Sequence, residues 1–281
     1  MSTFEKFVDG LDFGEGPRWH DGRLWYSDFF QHQVYAVSSD GERETILDLG
    51  DEQPSGLGWL PDGSLLVVGM TRRQVLRATA DGDLSIHADL SGVAAWHCND
   101  MVVDARGNAY VGNFGFDLEN RASPASADLA LVRADGSVEV AAEGLGFPNG
   151  SVITPDGSTL IVGETMGQCY TAFTIGDDGS LSERRTWAEV QGTAPDGCSL
   201  DDDGAIWFAN AAAPEVVRVA EGGEILERRA TPQSAFACIL GGEDGRTLFV
   251  LTSPGFTADS AGSAAGAIWT TRVDSPGAGL P

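Results

Sequence analysis

Lysine is nearly missing from this chain: Lys6 is the only one among 281 residues, and 42 acidic side chains face 17 basic ones for a formal net charge of −25. A surface so poor in positive charge repels phosphate backbones and anionic headgroups, which excludes nucleic acid and membrane surfaces as partners. Cysteine is scarce too. Cys98, Cys169, Cys198 and Cys238 are scattered with no CxxC, so reduced, packed thiols are expected rather than a disulfide framework, and Cys98 and Cys198 read as packing residues. Histidine occurs four times, with no HExxH, and no GxSxG elbow or phosphate loop stands in a suitable context. No apolar run approaches the roughly 20 residues that span a bilayer. The opening Met1-Ser2-Thr3-Phe4-Glu5-Lys6 lacks the apolar stretch of a signal peptide, so a cytoplasmic location is expected.

What the chain does have is a repeat. Six times an apolar run breaks at a short turn and resumes, with glycines at Gly22, Gly63, Gly107, Gly157, Gly204 and Gly245, spaced 41, 44, 50, 47 and 41 residues apart. A period of this size with strand-like runs indicates the blades of a propeller, each one a four-stranded sheet. Leu24-Trp25-Tyr26-Ser27 and Ala205-Ile206-Trp207-Phe208 read as second strands, and Val34-Tyr35-Ala36-Val37, Val75-Leu76-Arg77-Ala78 and Val216-Val217-Arg218-Val219 as third strands. The expectation is all-β: one six-bladed β-propeller over residues 1–281. Little chain follows Ile268-Trp269-Thr270-Thr271, so Lys6-Phe7-Val8 supplies the sixth blade's last strand and pairing of the two ends closes the ring. A self-closed ring favours a monomer.

Eight residues before the repeat glycine stand Ser55, Asn99, Asn149 and Asp196, and aligning Trp19 with Trp59 puts Glu15 opposite Ser55; the sixth repeat offers only Phe236 or Ala237. Equivalent positions in a closed ring lie at one height around the central channel. Glu15, Asn99, Asn149 and Asp196 therefore converge, giving two carboxylates and two amide oxygens suited to a hard divalent cation. Any one of these residues alone is better read as lining a wet channel or closing an Asx-turn. Bringing two carboxylates together without a cation is costly, which favours the metal reading for the set. Ser55 and Phe236 leave one side open to substrate. The long segments from Phe114 to Asp128 and from Pro254 to Gly266 read as a rim or lid on the same face.

The phrases Gly14-Glu15-Gly16-Pro17-Arg18-Trp19, Asn99-Asp100-Met101-Val102-Val103-Asp104, Pro148-Asn149-Gly150 and Pro195-Asp196-Gly197 resemble the senescence marker protein/gluconolactonase family, also called regucalcin-like, over nearly the whole chain. The resemblance implies a six-bladed propeller holding one divalent metal and, for most members, hydrolysis of a lactone. By carry-over Glu15, Asn149 and Asp196 bind the metal, and Asn99 is a fourth ligand or a substrate contact. Calcium ranks first as the ion, with zinc, manganese and iron as the other candidates. Asp196 is the expected general base toward water, with Asn99, His97 and Asp100 contacting substrate. A relative, diisopropyl-fluorophosphatase, makes phosphorus–fluorine hydrolysis the competing reading, in which Asp196 attacks directly. A calcium-stabilised binding propeller without catalysis is the alternative of another class, and a strictosidine-synthase-like propeller leaves the ligand set unexplained.

One departure bears on substrate. Sugar-lactonase relatives often carry an arginine two residues before the asparagine, where this chain has His97 after Trp96. Together with Phe114, Phe116, Phe147, Met166 and Phe236 this suggests a less polar substrate ring, although each of these reads equally as blade packing. Among the other histidines, only His32, beside Phe29 and Phe30, is placed to approach substrate.

Overall fold

The computed structural model describes residues 4–80 and 82–281, so Met1, Ser2 and Thr3 of the opening segment lie outside the described residues. Among the described residues twenty-four strands form six four-stranded sheets. The inner strands are Gly14–His20, Pro54–Trp59, Cys98–Val103, Pro148–Ile153, Pro195–Leu200 and Ser234–Gly241. Each packs against the next, and the last returns to the first. Burial follows position in the blade: Cys98–Val103, Pro148–Ile153 and Pro195–Leu200 are buried throughout, whereas the outermost Arg43–Asp48 and Leu84–Asp89 are largely exposed. Charged residues such as Arg43, Glu44 and Asp48 on an outermost strand guard the sheet edge against further pairing.

The sixth blade is completed as the sequence predicts. Glu5–Leu11 pairs antiparallel with Gly266–Arg272, in one sheet with Thr247–Ser253 and Ser234–Gly241. The chain after Arg272 is not a strand but still has a place. Residues 274–281 cross the far face of the ring, where Gly277 N donates to Gly245 O, Ala278 N to Leu200 O, and Leu280 exchanges two backbone hydrogen bonds with Ile153. Blades six, five and four are thereby tied together at the end of the channel remote from the site.

Every inner strand is irregular at the same height. The register slips between Glu15 and Arg18, Pro54 and Leu57, Cys98 and Met101, Pro148 and Ser151, Pro195 and Cys198, and Ala235 and Ala237. Glu15, Ser55, Asn99, Asn149, Asp196 and Phe236 fall at or inside these six bulges, which re-aim side chains away from the sheet alternation. Here the inner strands approach closely. A Cβ on Gly150 would lie 2.4 Å from Asp196 O and 2.8 Å from Cys198 N, both backbone atoms. Gly150→Ala is accordingly expected to cost about 1–3 kcal/mol by overpacking. Urea denaturation checks this, and a midpoint unchanged from the parent would contradict the close approach.

Candidate functional site

The four oxygen-bearing ring residues are withdrawn from solvent: Glu15, Asn99, Asn149 and Asp196 are between 4 and 8 % exposed. Burial pushes the Asp196 carboxyl up to about 8; Asp100 adds to this, while the Asn149 amide and the Gly197 N–H favour the charged form. Glu15 is held well above the ordinary carboxylate range, first by burial and then by Asp196 and Asp100. Glu15, Asp196 and Asn149 are thus brought together, with Asp100 bordering both carboxylates. Asn99 occupies the equivalent bulge of blade three, without a side-chain hydrogen bond among the described residues.

The amide of Asn149 has a defined orientation. The Thr165 hydroxyl donates to the Pro195 carbonyl at 2.7 Å, so toward Asn149 its oxygen can only accept, and it takes Nδ2 at 3.1 Å. Asn149 Oδ1 is left buried with no hydrogen-bond partner among the described residues, as is Ser55 Oγ at the ring position of blade two. Two desolvated carboxylates beside an orphaned amide oxygen fit a divalent cation. Among the described residues no three histidine, cysteine or carboxylate side chains are arranged so that they could hold a metal ion between them. A cation here would therefore take two carboxylates together with amide oxygens.

These shifts have a consequence for stability. A carboxyl whose folded pKa exceeds its unfolded value binds more protons when folded, so stability falls as pH rises between the two values. For Asp196 that window runs from the ordinary aspartate value of 3.8 to about 8. Surface aspartates such as Asp62 and Asp156, lowered by hydrogen bonds, are already ionised at the upper end of it in both states. Chelator-treated protein is expected to melt at lower temperature at pH 8 than at pH 5. A melting temperature that rises over that interval would contradict the shared burial of Glu15 and Asp196.

A second layer stands directly over the ring. Two residues before the ring positions come Phe13, Gln53, His97, Phe147, Ala194 and Ser234. In five blades the residue following the second strand donates its N–H to the carbonyl of this layer: Phe29 to Phe13, Met70 to Gln53, Phe114 to His97, Thr165 to Phe147 and Ala211 to Ala194, at 2.9–3.0 Å. Blade six has Pro254 there, with no N–H to give. Polar side chains ending the second strands fasten the approach. Asp28 accepts from the Asp12 and Phe13 amides, Glu164 from Gly146, and Asn210 from Ala194.

A family model described as the SMP-30/gluconolactonase/LRE-like region matches residues 13–254, most of the chain and every ring position. The chain belongs to this family. Pentonolactonase XacC of Haloferax volcanii is 29% identical over 294 residues, covering 99% of this chain and 97% of the relative. The solved gluconolactonase XC5397 of Xanthomonas campestris aligns with a TM-score of 0.77 at 26% identity, over 100% of this chain and 90% of that one. A luciferin-regenerating enzyme aligns with a TM-score of 0.85 at 18% identity, covering 99% and 98% of the two chains, a likeness of fold.

In this member of the SMP-30/gluconolactonase/LRE-like family, the floor of the ring is set by Arg18. Its guanidinium donates to Asp100 Oδ1 at 2.6 Å, Met101 O at 2.5 Å, Leu57 O at 2.9 Å and Pro17 O at 2.7 Å. Three blades are stitched by one buried side chain. Gly56 makes room for it, since a Cβ there would lie 2.8 Å from Asp100 Oδ1. Asp100 Oδ1 also accepts from Met101 N.

His97 sits in the upper layer, stacked on Trp96 with centroids 5.0 Å apart. Burial lowers its pKa against the pull of Glu119, whose carboxylate stands 3.7 Å from Nδ1. His32 faces the Glu52 carbonyl through Nδ1 at 3.0 Å, a structural contact. Met166 is 48 % exposed and lies outside the aromatic cluster that gathers Phe114, Phe116, Phe147 and Phe236, so the sequence expectation fails for it. The turn after Glu164 turns its side chain outward. Cys98 and Cys198 are buried, with their thiols pushed up to about 12, which suits packing and not nucleophilic chemistry. Both long segments pack as rim: Phe116 and Leu118 join the aromatic cluster, and Gly262 and Ala264 donate to the buried Asp12 at 2.7 and 2.8 Å. Among the described residues no helix is long and apolar enough to cross a membrane.

Thr165 and Arg18 were not marked by sequence reasoning. Thr165 is the polar residue in a row otherwise filled by Phe29, Met70, Phe114, Ala211 and Pro254, and Arg18 is an arginine on a buried inner strand. Those two anomalies were the available signals.

Proposed function

We propose that the protein hydrolyses a small lactone, with Glu15, Asn149 and Asp196 holding one divalent cation and Asn99 serving as a fourth ligand or a substrate contact. The observation that carries this reading is the unpartnered Asn149 Oδ1 beside two carboxylates whose pKa values are both raised. Membership of a family whose relatives include a pentonolactonase and a gluconolactonase supports the reaction class. Hard oxygen donors favour calcium, with manganese, zinc and iron as the other candidates. When bound, the cation supplies Lewis-acid polarisation of the lactone carbonyl.

The chain's own residues do the rest. Asp196 accepts a proton from the attacking water as its oxygen bonds to the carbonyl carbon. The ring C–O bond then breaks, and the proton passes to the departing alkoxide to give the hydroxy acid. Glu15 holds its place in the cage, while His97 and Asp100 contact substrate, Asp100 through the Oδ2 left free by Arg18.

Thr165 acts through Asn149. Thr165→Val is expected to weaken divalent-cation affinity roughly 10–100-fold, as loss of such supporting hydrogen bonds does. Calorimetric titration of the chelator-treated protein checks this, with Thr165→Ser expected to restore affinity. Unchanged affinity in the valine variant would remove Thr165 from the site. The reaction class is tested by parallel initial-rate assays on γ- and δ-lactones and on a fluorophosphonate. Turnover of lactones with at most trace release of fluoride is expected; the reverse pattern would install the phosphorus–fluorine reading, and inertness toward both would favour a binding propeller.

A further inference from the structure

The far mouth of the channel is closed unequally. Over blades one to three it holds a cavity of about 280 Å³, bordered by Trp19, Leu57, Trp59 and Val103, with Leu280 and Pro281 at its edge. Blades four to six are crossed instead by residues 274–281. That segment is anchored before it crosses. Val273 is buried with Trp207, Leu240 and Leu248, and Ser275 Oγ is hydrogen-bonded to Asp203, whose carboxylate also accepts from Arg218.

The bonds of the crossing fall on the inner strands themselves. Leu280 N donates to Ile153 O at 2.9 Å, Ile153 N to Leu280 O at 2.8 Å, and Ala278 N to Leu200 O at 2.9 Å. Ile153 and Leu200 end the strands Pro148–Ile153 and Pro195–Leu200, which carry Asn149 and Asp196 four residues earlier. Four residues of extended chain span about 13 Å. Both strands are buried along their whole length, and at the ring they meet backbone to backbone across Gly150. A closely packed strand shifts as a unit, so holding its far end also holds its ligand end. Ile153 and Leu200 are themselves buried, and without the segment these backbone groups would lose their partners. Glu15 has a different tie, through the guanidinium of Arg18 and its four acceptors.

We infer that residues 276–280 position Asn149 and Asp196 for the cation by gripping the far ends of the two strands that carry them. The inference rests on the cation cage proposed above, and it has a reciprocal consequence. What the segment does for cation affinity, a bound cation does for the segment. Gly279 is the sensitive point: its φ is +70°, and a Cβ there would collide with the Ile153 carbonyl oxygen.

Two readouts test this on the whole chain. Amide hydrogen exchange of the chelator-treated parent is followed by NMR with and without a saturating divalent ion, calcium first and then manganese, zinc or iron. Exchange at Ile153, Ala278 and Leu280 is expected to slow at least about fivefold, the lower end of ordinary coupling between sites. The Leu60 amide, bonded to Ser64 O just beyond the inner strand of blade two, is expected to keep its cation-free rate. In calorimetric titrations with the same ion, Gly279→Ala is expected to weaken affinity by at least about fivefold. Gly136→Ala is the matched control, because Gly136 has a φ of +87° and a Cβ there would collide with the His87 carbonyl on an outer strand. It is expected to keep the parent affinity. Equal slowing at Leu60, or equal weakening by the two alanines, would make the segment a general stabiliser and overturn the inference, with the cage left in place. Affinity untouched by Gly279→Ala overturns it likewise. Should Gly279→Ala fail to fold, exchange in the parent decides. A parent that binds none of these ions overturns the cage and the inference together.

Discussion

Asp196→Ala is expected to lower kcat/KM for lactone hydrolysis by roughly 10²–10⁴-fold, the range associated with a positioned general base, with further loss from weakened cation binding. The two contributions are separable. Asp196→Asn keeps an oxygen at the same bulge but cannot take a proton, so it is expected to recover part of the cation affinity and none of the rate. Metal content by mass spectrometry, measured alongside turnover, distinguishes these roles. A metal-replete Asp196→Ala protein with near-parental turnover would remove Asp196 from the chemistry. The environment supports the base role: burial raises the carboxyl to about 8, so in the cation-free site it resists ionisation. A bound cation would favour the ionised form that a base requires.

Arg18→Met is expected to destabilise the protein by about 3–5 kcal/mol, because the single change leaves Asp100 buried without its cationic partner. Both side chains are nearly solvent-free, at 4 and 5 % exposure, and the guanidinium additionally serves three carbonyls on three inner strands. Pairing Arg18→Met with Asp100→Asn removes both charges and is expected to restore a large part of the loss. Denaturant melts of the two singles and the double measure this coupling directly. A single Arg18→Met variant within 1 kcal/mol of the parent would show that the buried pair contributes little. The effect also reaches the site, since Arg18 lowers and Asp100 raises the Glu15 carboxyl.

Most of the architecture was legible because it repeats. Glycine turns at a period near 45 residues announced six sheets, and the short chain after Thr271 required Glu5–Leu11 to complete the last one. The ring residues were legible for the same reason: counting from Gly63, Gly107, Gly157 and Gly204 lands in the bulges. What a single strand's pattern cannot carry is contact between blades. Arg18 meets Asp100 across 82 residues of sequence, and Thr165 reaches Pro195 across 30. The path of residues 274–281 over the far face is held by backbone hydrogen bonds, which leave no side-chain signature. Met166 reads from the sequence as part of the wall yet is exposed, because exposure at a loop is set by the turn and not by hydrophobicity.

The decisive measurement is initial-rate lactone hydrolysis by protein stripped with a chelator, confirmed metal-free, and refilled in turn with calcium, manganese, zinc and iron. Activity is expected to vanish on stripping and to return with one of these ions, and Glu15→Gln is expected to need a far higher concentration of that ion to recover. Full turnover by the verified metal-free protein would contradict a cation-dependent lactonase built on Glu15, Asn149 and Asp196.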